Sequence, residues 1–168
     1  HVEEAEQILI RSLQAIHACR GERPFYLPKI FIRVRTPQQI NGLISRLGDA
    51  QALLTGFTLP KFSLENADAY IEAIEAANAC SATPVYMMPI LESPTMVSLQ
   101  DRYRILYGLK ERLDPVSGHV LNIRVGGNDL CHVFGFRRHS DESIYKIRPI
   151  SNILSDIVTV FGMDYVIS

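Results

Sequence analysis

Two carboxylates stand at the ends of two apolar runs. Glu92 closes PVYMMPILE and Asp129 closes HVLNIRVGGND. Hard oxygen ligands on neighbouring buried strands suit a metal ion. Magnesium is the better match, because it takes one or two protein carboxylates and completes its octahedron with water and substrate oxygens. Zinc is a poorer one, since no His or Cys stands at the same level. A structural account competes: Glu92 would complement the dipole of a helix opening at Pro94, and Asp129 would cap the following turn.

Cations precede the acids in the chain. Arg33 and Arg35, in KIFIRVRT, share a parity and so point to one face of their strand. An arginine pair in such a place suits a carboxylate or an enolate oxygen. For Arg35, a side chain that simply reaches solvent is the plainer reading. Lys61, after Pro60, is either an anion contact or a solvated loop lysine. Four successive strand ends therefore carry charge, two cationic and then two acidic. Gly126–Gly127–Asn128 lacks the spacing of a nucleotide fingerprint, and no helix clearly opens at the glycines. The glycines instead let backbone approach a ligand or permit φ > 0 beside Asp129. His132, His139 and the Arg137–Arg138 pair fall in a long loop, as a lid, an anion clamp or ordinary exposed residues. Cys131 lies near the proposed site, but no histidine partner supports it as a nucleophile.

Hydrophobic periodicity places these residues. Residues 2–19 read as a helix, 29–36 as a strand and 37–47 as a helix opening on Pro37 and stopping at Gly48. The alternation continues with a strand at 54–60, a helix at 64–79 capped by Ser63, a strand at 84–91 and a helix at 95–113 started by Ser93 and Pro94. A strand at 120–125, a loop at 126–140, a helix at 143–161 kinked or restarted at Pro149, and a last strand at 165–168 complete it. Strands alternating with helices imply an α/β fold with a parallel sheet and right-handed crossovers. An open doubly wound sheet and a (β/α)8 barrel both fit. The helix at the start, the strand at the end and the ~250 residues of a full barrel favour a partial barrel with about five of the eight strands, in one domain over 1–168. In either architecture ligands bind beyond the C-terminal ends of the strands.

The composition excludes some functions. The chain has 168 residues, a formal charge of −1 and 47% hydrophobic residues. That charge gives no general pull toward nucleic acid or an anionic membrane, and no apolar run approaches the ~20 residues of a membrane span. The three widely spaced cysteines, Cys19, Cys80 and Cys131, show no zinc spacing and no disulfide framework, so free thiols in a reducing cytoplasm are expected. No signal-peptide pattern is present, but the first residue is His1 rather than Met, so that absence carries no weight.

IRVR, LPKF, ILESP and GGNDL, in this order on successive strands, resemble the HpcH/HpaI aldolase and citrate lyase β-subunit-like family. The branch they are similar to is the C–C bond lyase group of the TIM-barrel fold. The resemblance implies a magnesium-dependent (β/α)8 barrel, with Glu92 and Asp129 as the metal ligands and Arg33 on the substrate's carbonyl or carboxylate oxygens. Arg35, Pro60, Lys61, Gly127 and Asn128 would line the substrate site. It implies retro-aldol or retro-Claisen cleavage, or the reverse condensation, of a carboxylate-bearing 2-oxo acid or an acyl-CoA, and a homo-oligomer is the expected assembly. Arg35 stands where the family usually has Asn, which points to a more anionic substrate. No general base is evident. The alternatives from other classes are a non-catalytic anion- or nucleotide-binding barrel and an assembly subunit derived from such a lyase.

Overall fold

The computed structural model describes residues 2–22, 25–137 and 139–168. Arg138 and Pro24 lie outside the described residues, so the Arg137–Arg138 pair is represented by Arg137 alone. Helices and strands alternate as α1 (Val2–Glu22), β1 (Ile30–Arg33), α2 (Pro37–Leu47), β2 (Leu54–Leu59), α3 (Ala67–Cys80) and β3 (Tyr86–Leu91). Then come α4 (Arg102–Leu113), β4 (Arg124–Val125), α5 (Gly127–Val133) and α6 (Arg148–Phe161).

The four strands are parallel and lie in the order β1-β2-β3-β4. A doubly wound sheet reverses its order at a switch point, and this sheet has no reversal. The architecture is a curled half-barrel, part of a TIM barrel. The expected fifth strand pairs in parallel beside β4, where Ile123 N–H donates to Val166 O at 2.8 Å and Val125 N–H to Ser168 O at 2.9 Å. It is too short to count as a strand and forms a single bridge, Ile123 with Ile167.

Strand parity divides the two faces. Phe57, Leu59, Met87 and Leu91 are fully buried in the core against the helices. Their alternates Thr58, Met88 and Ile90 therefore face the concave inner side. At the end of β1 and just past it, Val34 is buried while Arg33 and Arg35 are exposed, which puts both arginines on that inner face. The helices close the outer face with apolar stripes. Ile40, Leu43, Ile44 and Leu47 do so in α2, and Ile150, Ile153, Ile157 and Val160 in α6. Pro149 starts α6 rather than kinking a longer helix, because its missing N–H and fixed φ fit a first turn.

Three boundaries differ from the sequence reading for local reasons. Ser63 does not cap α3. Its N–H donates to Asn66 Oδ1 at 2.9 Å and Asn66 Nδ2 donates to Lys61 O at 3.1 Å, so residues 61–66 form a closed turn and the helix waits until Ala67. The helix expected over 95–113 is a short 3-10 turn, Pro94–Val97, followed by α4. Arg102 causes the break, since its guanidinium takes Met96 O at 2.7 Å and Val97 O at 3.3 Å, carbonyls a continuous helix would use itself. The segment 126–140 is not all loop, because the seven-residue helix α5 opens at Gly127.

Asn78 fixes the entry to β3. Its Nδ2 donates to Val85 O at 2.9 Å and its Oδ1 accepts from Val85 N–H at 2.8 Å, a reciprocal pair that imitates a neighbouring strand. Val85 is buried, so Asn78→Ala leaves two backbone groups without partners. A loss of about 1–3 kcal/mol is expected, measured by urea unfolding; a change within ~0.5 kcal/mol would mean that water replaces the amide.

Candidate functional site

Glu92 is the first residue beyond β3 and is only 3% exposed. Its Oε1 accepts from Arg33 Nη2 at 3.1 Å and from the backbone N–H of Lys61 at 3.1 Å. Its Oε2 lies against Gly126, where a Cβ would come within 2.3 Å of it. The end of β3 is thus tied to the ends of β1 and β2 through one carboxylate oxygen, and packed on the turn after β4 through the other.

The Lys61 contact depends on an unusual backbone. Lys61 has φ 51, the one described non-glycine residue at positive φ. That conformation costs on the order of 1 kcal/mol. It turns the Lys61 N–H back toward Glu92, and three contacts hold it. Asn66 takes the Lys61 carbonyl, Phe62 N–H donates to Ile90 O at 3.0 Å, and the fully buried Phe62 ring packs on Tyr70.

Asp129 sits in the first turn of α5, exposed, with its carboxylate near enough to Glu92 to act on that group's charge. Burial pushes the Glu92 carboxyl above the usual carboxylate range, and the Asp129 charge adds to that. The Lys61 N–H and the Arg33 guanidinium work against it without prevailing. Arg33 is 59% exposed, so solvent screens its pull. Two carboxylates this close, one of them out of water, are costly to ionise together without a cation between them. The pair therefore suits a hard divalent ion. Among the described residues no third His, Cys, Asp or Glu joins them in a metal-binding group.

The structural account of Glu92 loses ground here. No α-helix opens at Pro94, and the cap of the 3-10 turn is Ser93, whose Oγ accepts from Thr95. For Asp129 the helix-dipole account survives, because it lies at the N-terminal end of α5.

Arg33, Arg35, Pro60 and Lys61 line a cleft of about 520 Å³ between β1 and β2. Gly127 is buried against Ile144, and the glycine in contact with Glu92 is Gly126, by close approach rather than positive φ. Asn128 is exposed in the first turn of α5. His139 lines a separate surface hollow with Asp141, Glu142 and Lys146. All three cysteines are free, and Cys131 is buried.

Sequence reasoning missed Arg124. It pairs in register with Ile90, and its neighbours Ile123 and Val125 pack into the core, so Arg124 faces the inner side. The signal was present: the parity that puts Arg33 and Arg35 on one face applies equally to LNIRV.

Comparison with curated proteins and with solved structures finds no match. A family model described as "C-C_Bond_Lyase of the TIM-Barrel fold" matches residues 1–168. Parallel strands in sequential order, with charged side chains gathered at their C-terminal ends, agree with that description, and the chain belongs to the family of C–C bond lyases of the TIM-barrel fold.

Proposed function

We propose that this lyase is magnesium-dependent and cleaves, or forms in reverse, a carbon–carbon bond of a carboxylate-bearing 2-oxo acid or acyl-CoA-type substrate. The observation that carries the reading is the buried Glu92 carboxylate beside Asp129, with Arg33 on the same oxygen that Lys61 N–H holds. Glu92 and Asp129 would hold the ion. Bound there, magnesium supplies Lewis acidity to substrate oxygens. The Lys61 N–H and Arg33 orient Glu92 on one oxygen. The Arg33 side chain is more than half exposed, and its remaining N–H groups are left to donate to the oxygen on which enolate charge develops. Buried apolar neighbours, Met88 and Ile90, limit water beneath that oxygen.

The resemblance to the HpcH/HpaI aldolase and citrate lyase β-subunit-like proteins rests on the four motifs, which fall at or just beyond the C-terminal ends of successive strands. A homo-oligomer is the assembly that fits best, because among the described residues no strand pairs with the outer edge of β1 and a free edge invites a partner. Free cysteines fit a reducing cytoplasm. No helix among the described residues is long and apolar enough to cross a membrane.

Calorimetric titration with magnesium tests the metal site. Glu92→Gln and Asp129→Asn should each weaken binding at least about tenfold, since even the loss of a supporting partner around a metal has that effect. Unchanged affinity in both variants would sink the reading. Product formation from 2-oxo acid and acyl-CoA panels then separates a lyase from a barrel that only binds anions.

A further inference from the structure

The cleft beside Glu92 is more cationic than one carboxylate or enolate requires. Four cations, Arg33, Arg35, Lys61 and Arg124, lie on the inner face or at its rim, against two carboxylates, Glu92 and Asp129. A bound divalent ion adds two further positive charges. Of these cations only Arg33 has a carboxylate partner among the described residues. Glu6, which with Arg35 lines the neighbouring hollow between α1 and β1, already bonds Gln39 and Arg46 and is not free for it.

The backbones that carry Arg35 and Lys61 are held from both sides. Arg35 N–H donates to Gln39 Oε1 at 2.6 Å, and Arg35 O accepts from the buried Tyr70 hydroxyl at 3.3 Å. Lys61 donates its N–H to Glu92 and accepts Asn66 on its carbonyl, at the strained positive φ. Strain retained at one lysine, and a neighbouring arginine fixed by two bonds, is an expense that a pair of merely solvated cations does not explain. Both line the same cleft of about 520 Å³, which is the size of a small-ligand pocket.

We propose that the substrate carries a second, phosphate-type dianionic group, and that this group seats in the β1–β2 cleft on Arg35 and Lys61. The inference rests on the lyase reading above and extends it to the substrate. The reacting end lies at Glu92, Asp129 and Arg33, and the dianion anchors the other end on two pre-positioned cations. A guanidinium meets phosphate oxygens through paired N–H donors, and lysine adds a point charge. Arg124, across the inner face in the tier of Ile90, adds to the field that draws the anion in. A phosphate monoester on a small acid and the diphosphate of a nucleotide-type carrier share this chemistry.

The test is calorimetric titration of the full chain at pH 8 and low salt with inorganic phosphate, pyrophosphate and acetate. The wild type should bind phosphate at least about tenfold more tightly than acetate, the scale of one or two charge-assisted hydrogen bonds. Arg35→Gln combined with Lys61→Gly should abolish that preference. Lys61→Gly removes the cation while relieving the positive φ, so the variant keeps its turn. Glu92→Gln should retain the preference while losing magnesium. Pyrophosphate bound more tightly than phosphate supports a diphosphate source, and the reverse supports a monoester. Equal affinity for phosphate and acetate, or a preference that survives the double variant, overturns the proposal. Magnesium affinity that neither Glu92→Gln nor Asp129→Asn lowers, with the phosphate preference intact, overturns the magnesium-dependent reading of the site instead.

Discussion

Gly126→Ala is expected to lose magnesium binding and to destabilise the protein by about 1–3 kcal/mol, the usual cost of forcing a methyl group into filled space. The new Cβ would stand 2.3 Å from Glu92 Oε2 and 2.5 Å from Glu92 Cβ. Ordinary carbon–carbon contact is about 3.5–4.0 Å. Rotating the Glu92 side chain can move Oε2 away but cannot move Cβ, which is fixed to the end of β3. Relief therefore needs β3 and the turn after β4 to separate. They are joined there by the bond from Gly126 N–H to Leu91 O at 3.2 Å. Separation pulls Glu92 from Asp129, while rotation pulls it from Arg33 and Lys61. Either route dismantles the pair that would hold the ion. Gly118→Ala is the control, because its Cβ would meet nothing within 4 Å. Calorimetric unfolding and a magnesium titration on both variants decide the matter. Wild-type magnesium affinity in Gly126→Ala would show that the ion binds elsewhere.

Arg102→Ala should be the most destabilising single change outside the apolar core, at about 3–5 kcal/mol. For a chain of this length that is a fall in Tm of roughly 6–20 °C. Arg102 is 4% exposed and its guanidinium reaches three acceptors: Met96 O, Val97 O and Asp156 Oδ2 at 2.7 Å. It ties the 3-10 turn after Glu92 to α6. Truncation strands two carbonyls and leaves Asp156 with the Tyr103 hydroxyl, 2.8 Å from its other oxygen. Arg102→Lys should recover little, since one ammonium cannot span a planar three-way fork. Arg102→Met with Asp156→Leu should recover only the ion-pair part, because the carbonyls stay unmet. Full recovery in that double variant would mean that the carbonyls find water and that the pair is dispensable.

The alternation of elements was legible because buried parallel strands and amphipathic helices leave different periods in the chain, as in YMMPIL against the stripe of α6. The charged strand ends were legible for the same reason: once the strands are placed, Arg33, Lys61, Glu92 and Asp129 fall at their ends. What escaped was decided by side chains reaching across sequence. Asn66 holding Ser63 and Lys61 moved the start of α3, and Arg102 taking two carbonyls split a helix whose periodicity runs on without a break. Arg102 itself reads as a solvated helix residue until Asp156, far along the chain, is brought beside it. The short α5 has no side-chain cap to announce it. The left-handed Lys61 has no local signal either, since glycine and not lysine usually marks such a turn.

The sequential strand order also determines how the molecule can be made. Each strand pairs with the one before it, so no later segment has to be inserted between two earlier ones. A chain leaving the ribosome can dock each helix–strand unit on the edge its predecessor exposed, closing only short loops at every step. The charged mouth follows another schedule. Lys61 meets a carboxylate 31 residues later and Arg33 one 59 residues later. These groups stay hydrated until the third strand is in place, so they are dehydrated only once the apolar units that enclose them have assembled.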